Sequence, residues 1–111
     1  MTTLAGSSYG FADGIGNASK FNHPWGIWFD EKTQSLLVGD YSNSKIRRVE
    51  LNGIDQKIVS SHINLNPGKV STLCDIPSPC GVTSSCDTIF VCSDTNKVFK
   101  ITLTGLTFVF S

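Results

Sequence analysis

The sequence is poor in charge, in histidine and in methionine, and it holds no long apolar run. Only 16% of its 111 residues are charged, and nine Lys+Arg balance nine Asp+Glu, so the formal net charge is zero. A neutral chain offers no long-range field to gather phosphate backbones or an acidic membrane, so neither nucleic acid nor membrane is the expected partner. No stretch approaches the ~20 consecutive apolar residues of a membrane-spanning helix. The start, Met1-Thr2-Thr3-Leu4-Ala5-Gly6, has neither the basic region nor the apolar block of a secretory signal; this favours a cytoplasmic setting slightly and leaves the compartment open. The two histidines, His23 and His62, are too few to converge on a metal with a general base beside them. No nucleophile–base pair is supported by the spacing either, and no cofactor is implied.

What is present is β-like. Short runs rich in β-branched and aromatic residues are separated by Gly, Asn, Asp, Ser and Pro, and none has helical spacing. The runs predict strands at Trp25–Phe29, Leu36–Gly39, Lys45–Glu50 and Val70–Cys74. A second set covers Cys80–Thr83, Thr88–Ser93, Lys97–Leu103 and Thr107–Phe110. Alternation puts Ile46 on one face with Arg48, and Val98 with Lys100.

These two sets are one unit written twice. Pro24-Trp25-Gly26-Ile27 recurs as Pro79-Cys80-Gly81-Val82, and Leu37-Val38-Gly39-Asp40 as Phe90-Val91-Cys92-Ser93-Asp94. Lys45-Ile46-Arg47-Arg48-Val49 recurs as Lys97-Val98-Phe99-Lys100-Ile101, Asn52-Gly53 maps onto Thr104-Gly105, and Thr3-Leu4-Ala5 is similar to Thr72-Leu73-Cys74. Four strands per repeat of about 50 residues point to β-propeller blades rather than a helical solenoid. The expected fold is therefore all-β, a partial propeller of about two four-stranded antiparallel meanders. Residues 1–6 read as the outer strand of a preceding blade and 7–22 as a connecting loop. Residues 23–74 read as the first blade, with 54–69 inserted, and 75–111 as the second. Gly26 and Gly81 fit crowded inner strands, where only a small residue permits close backbone approach.

Phe11-Ala12-Asp13-Gly14-Ile15-Gly16, Pro24-Trp25-Gly26-Ile27 and Val38-Gly39-Asp40-Tyr41-Ser42-Asn43-Ser44-Lys45-Ile46-Arg47-Arg48-Val49, preceded by Thr3-Leu4-Ala5-Gly6, closely resemble the NHL repeat. Gly39 stands where that family usually has Ala. The second unit is degenerate, lacking a counterpart of Asp30 directly after its first strand and shortened at Asp94-Thr95-Asn96. The resemblance implies a closed propeller, commonly six-bladed, that works as a binding platform for proteins, RNA or ligands. A minority of similar propellers are metal-assisted lyases or lactonases. Two blades and a strand do not close a ring, so the expectation is a piece of a larger propeller or a protomer that self-assembles, three copies closing six blades.

The expected function is thus non-enzymatic, a scaffold that meets a protein partner through loops on a rigid frame. An enzyme whose metal ligands lie in missing blades is the alternative, and RNA binding comes third. Tyr9, Phe11, Tyr41 and Asn43 are the candidate contact residues on the loop face, with Phe21 beside them. Asp40 and Asp94, recurring where the second strand ends, read as acceptors for loop backbone N–H groups rather than as ligands. Asp13-Gly14-Ile15-Gly16-Asn17 lacks the alternating carboxylates of a calcium loop and the Gly-Lys-Ser/Thr ending of a phosphate loop. Lys45, Arg47, Arg48 and Lys100 form a modest basic set, read as a solvated and locally neutralised surface. Cys74, Cys80, Cys86 and Cys92 lie at even spacing unlike the short pairs of zinc sites. Free thiols are expected, with a Cys80–Cys92 disulfide as the alternative in an oxidising compartment. Asn17-Ala18-Ser19 is a glycosylation sequon, meaningful only in a secreted chain.

Overall fold

Nine strands build two antiparallel sheets in the computed structural model, which describes residues 2–51, 68–102 and 107–110. The strands are β1 (Gly14–Ile15), β2 (Pro24–Asp30), β3 (Ser35–Asp40), β4 (Lys45–Glu50), β5 (Lys69–Asp75), β6 (Pro79–Ser85), β7 (Thr88–Ser93), β8 (Lys97–Thr102) and β9 (Thr107–Phe110). The first sheet has the order β1-β5-β4-β3-β2 and the second β6-β7-β8-β9. From β2 onward each is an antiparallel meander. His62, Asn52-Gly53, Thr104-Gly105 and most of the 54–69 segment lie outside the described residues. Lys69 itself, read as the end of that insertion, is the first residue of β5.

The strand order corrects one part of the sequence reading. The 7–22 segment is not only a loop: β1 pairs antiparallel with β5, Gly14 opposite Val70 and Ile15 opposite Lys69, and adds a fifth strand to the first sheet. Glycines at 14 and 16 leave no strand pattern around Ile15, and the pairing is made by tertiary packing. Thr2–Gly6 joins neither sheet; instead the Gly6 N–H donates to the Gly16 carbonyl at 3.1 Å.

Repeated local chemistry fixes the register of both sheets. His23 and Ser78 have positive φ, 56° and 44°, and each precedes the proline that opens an inner strand. One residue after that proline the ladder bulges, at Trp25 in β2 and at Cys80 in β6. The turn after β3 ends at left-handed Ser44 and the turn after β7 at left-handed Asn96, with φ 53° and 69°. The Tyr41 N–H donates to His23 O at 3.2 Å, and the Asp94 N–H to Ser78 O at 3.0 Å. This geometry makes Ser93, not Asp94, the partner of Asp40 in the repeat. Asp40 pairs with Pro24 and Lys45, whereas Ser93 pairs with Pro79 and Lys97. The second turn is a residue shorter, so matching aspartate to aspartate slips the register by one.

The inner strands β2 and β6 lie against each other and join the sheets face to face. Leu37, Ile46 and Leu73 of the first sheet pack on Val82, Ile89, Val91, Phe99 and Ile101 of the second, with Ile76 of the connection between them. A smaller cluster, Val38, Val49 and Val70 with Ala5, Phe21 and Leu36, lies on the opposite face of the first sheet. Polar contacts stitch the same seam: Trp28 Nε1 donates to Ser84 Oγ at 3.0 Å, and Ser84 Oγ donates to Asp30 Oδ1 at 3.0 Å. Backbone contact is closest at Gly26, where a Cβ atom would stand 2.1 Å from the Cys80 carbonyl oxygen. At Gly39 the nearest atom to such a Cβ is the Pro79 oxygen, 3.3 Å away. Replacing Gly26 by Ala therefore forces backbone apart, and a loss of about 3 kcal/mol or more is expected. Gly39→Ala needs only a slight shift and is expected to cost less; urea unfolding of the two variants checks the order.

Candidate functional site

Two polar clusters stand at the end of the sheets where the β3–β4 and β5–β6 turns emerge. The first is centred on Arg47 of β4. Alternation along β4 sets Arg47 opposite Arg48, but it does not reveal that the 7–22 segment folds over that face of the first sheet. Arg47 is consequently 0% exposed, which corrects for that residue the reading of a solvated basic set, whereas Lys45, Arg48 and Lys100 stay partly exposed. Its Nη1 donates to Asp40 Oδ2 at 2.8 Å and to Lys20 O at 2.9 Å, and its Nη2 to Ala12 O at 2.8 Å and Asp13 Oδ1 at 2.9 Å. The guanidinium carbon lies 4.8 Å from the ring centroids of both Phe11 and Phe21. Carboxylates in the guanidinium plane and aromatic rings over it satisfy both the charge and the apolar surfaces of Arg.

Asp40 is also fully buried. Besides Arg47, it accepts the Asn22 N–H at 2.7 Å and Asn43 Nδ2 at 2.7 Å, and Asn43 Nδ2 reaches Gly10 O at 2.7 Å as well. Phe11 and Asn43 thus bind the 7–22 segment to the sheet; Phe11 keeps an exposed edge and also lies 5.1 Å from Lys45 Nζ. Asp13 accepts Thr72 Oγ1 at 3.0 Å in addition to Arg47. In the sequon, Asn17 is exposed, while Ser19 is buried and its hydroxyl is engaged with Gly16 O at 2.7 Å.

The second cluster is on the surface. Trp25, placed by the β2 bulge, is 66% exposed, and its ring stacks obliquely on Tyr41 with centroids 5.0 Å apart. Tyr41 OH donates to Asp94 Oδ2 at 2.5 Å, so a residue of the second sheet's turn fixes an aromatic side chain of the first. That hydrogen bond is the main cause raising the Tyr41 phenol above its ordinary value, burial adding to it. His23 Nδ1 lies 2.8 Å from Ser42 Oγ. Together His23, Pro24, Trp25, Tyr41 and Ser42 line an open depression of about 470 Å³. Tyr9 is 84% exposed on the 7–22 segment. The candidate contact residues therefore separate: Tyr41 enters this depression, Tyr9 stands free of the Arg47 cluster, and Phe11 and Asn43 belong to that cluster. Trp25 was read only as a strand residue; the available signal was a large aromatic at a repeat position that holds Cys80 in the second unit.

Among the described residues no group of three or more His, Cys, Asp and Glu side chains is placed to hold a metal ion. All four cysteines are free thiols. Burial, with the neighbouring Asp75 charge adding to it, pushes the Cys74 thiol up to about 11. No protein-family model matches this chain, and no curated protein matches it.

Removing Arg47 leaves Asp40 charged, buried and without its counter-ion. Arg47→Met is expected to cost about 3–5 kcal/mol in chemical denaturation, with Asp40→Asn also destabilising. A double-mutant cycle on the pair should give a coupling well above the ~1 kcal/mol of an exposed pair.

The cysteines give a pH signature. Cys74 ionises at higher pH in the folded chain than in the unfolded one, so its contribution is complete below about pH 9. It is then lost as pH rises through about 11. Alkylation of the native chain near pH 9 should therefore label the exposed Cys86 well before Cys74, and the difference should vanish in denaturant.

Proposed function

We propose that the two sheets are successive blades of an NHL-type β-propeller and that the turn-bearing end docks a protein partner. The supporting observation is the Trp25–Tyr41 pair, an exposed aromatic platform braced across both sheets by Asp94. Aromatic side chains held rigid on a surface bind partners at little entropic cost, and Trp and Tyr are the residues that most often dominate protein interfaces. The Arg47 cluster supports the same reading indirectly, because it fastens the 7–22 segment beside the platform. The blade assignment draws on the repeated register, the face-to-face meanders and the resemblance to the NHL motif.

The test uses the immobilised full chain to capture protein from the cytosol of its source cells, with bound species identified by mass spectrometry. Tyr41→Ser and Trp25→Ser are each expected to weaken retention of the same partner by about tenfold or more. Lys32→Ala, at the opposite end of the sheets, should leave it unchanged. Retention indifferent to Trp25 and Tyr41 contradicts the proposal. So does capture that disappears on nuclease treatment and falls steeply with salt, which is the signature of RNA.

A further inference from the structure

The packing of the two sheets has a direction, and the chain carries both halves of it twice. The face of the first sheet bearing Leu37 and Ile46 meets the face of the second bearing Val82 and Val91. Counted along the ladders from Pro24 and Pro79, Val82 stands where Ile27 stands in the first sheet, Ser84 where Phe29 stands, and Val91 where Val38 stands. On the far side of the second sheet, Phe90, Cys92 and Val98 stand where Leu37, Gly39 and Ile46 stand in the first. Each open face is therefore the counterpart of one half of an interface already formed inside the chain. Both carry accessible apolar side chains: along the β2 side of the first sheet, which the 7–22 segment leaves uncovered, Ile27 is 63% exposed and Phe29 46%, and on the far face of the second sheet Val98, beside Lys100, is 41% exposed.

The glycines make the same point at the backbone. Gly26 has no room for a Cβ because the Cys80 carbonyl of the next sheet sits on it. Its counterpart Gly81 has no described atom within 4 Å of where a Cβ would stand. Trp25 occupies in β2 the bulge position that Cys80 occupies in β6. A first sheet seated on the far face of β6–β8 in the manner already seen brings its Trp25 carbonyl over Gly81. Nothing within the described part of the chain gives Gly81 that use.

We infer that a second copy of this chain docks head to tail, placing the Ile27–Phe29 face of its β2 on the Phe90–Val98 face of the first copy. The contact is heterologous, so each copy keeps one face free to continue the array or to close it. The inference rests on reading the sheets as successive blades, not on what the Trp25–Tyr41 platform binds.

Sedimentation of the purified full chain tests it with two substitutions. Gly81→Val adds a side chain into open space in the single chain but onto the docking carbonyl in the assembly, and Val suits a strand. Ile27→Asp places a charge on the opposite, already exposed face. The unaltered chain is expected to gain mass with concentration, and each variant to sediment as a monomer with an unchanged circular dichroism spectrum. Mixed in equal amounts, the variants should form a dimer containing one of each, because one keeps an intact β2 face and the other an intact Gly81 face. An unaltered chain that stays monomeric up to its solubility limit overturns the inference. Variants that self-associate like the unaltered chain, or folded variants that do not pair on mixing, overturn it as well. Both leave Tyr41 in place, so capture of the protein partner is a separate readout and its failure bears on the proposed function alone.

Discussion

The structure depends on one close approach between backbones. The Cys80 carbonyl lies where the side chain of any residue other than glycine at position 26 would begin. That proximity lets β2 and β6 run side by side, which in turn brings Leu37 and Ile46 into one core with Val82 and Val91. The hydrophobic contribution of such a seam scales with the apolar area it removes from water, and a wedge at Gly26 would open it along its length. The Trp28–Ser84–Asp30 hydrogen bonds and the Tyr41–Asp94 contact are made across the same seam. A hydrogen bond of this kind has a reach of only a few tenths of an ångström, so these contacts follow the backbone approach rather than create it.

A second constraint acts on the outer face. Arg47 and Asp40 are both fully buried, and such a pair repays its desolvation only when the remaining donors and lone pairs are occupied. Here the occupants of Arg47 Nη1 and Nη2 and of Asp40 Oδ1 come from the 7–22 segment: the carbonyls of Ala12 and Lys20, the carboxylate of Asp13 and the amide of Asn22, while Arg47 Nε is buried with no partner among the described residues. The segment is therefore fixed by charge-assisted hydrogen bonds and by its own Phe11 and Phe21 rings over the guanidinium. Its order and the presentation of Tyr9 beside the turn-bearing end derive from that cluster. The same fixed end carries Trp25 and Tyr41, so the fold holds its exposed aromatics on a rigid support.

Much of this was legible in the sequence. The eight longer strands were found to within one or two residues, because β-branched runs bounded by turn residues report local conformation directly. The recurrence of Pro-x-Gly and of Lys-Ile-Arg-Arg-Val announced two copies of one unit. Three things were not legible, for three reasons. Arg47 was read as solvated because alternation along a strand says which residues share a face but not what covers that face. Asp94 was aligned with Asp40 because letters matched, whereas the ladder counts positions and the second turn is one residue shorter. β1 was missed because Gly14 and Ile15 pair with β5 through the way the 7–22 segment docks, a tertiary cause that leaves no local trace. The platform at Trp25 and Tyr41 was half legible: Tyr41 sits in a turn, but the exposure of Trp25 arises from a bulge that alternation does not show.

The most direct measurement of the central claim is a nuclear Overhauser contact between the α-protons of Gly26 and Gly81. A Cβ at Gly26 would stand 3.0 Å from the Gly81 Cα, so the proton pointing that way lies close to the other glycine. A strong cross-peak is predicted, in the same spectrum as the cross-strand contacts between Gly26 and Gly39 within the first sheet. Cross-strand contacts without the Gly26–Gly81 peak would show two folded sheets that do not meet through their inner strands, and would contradict the account.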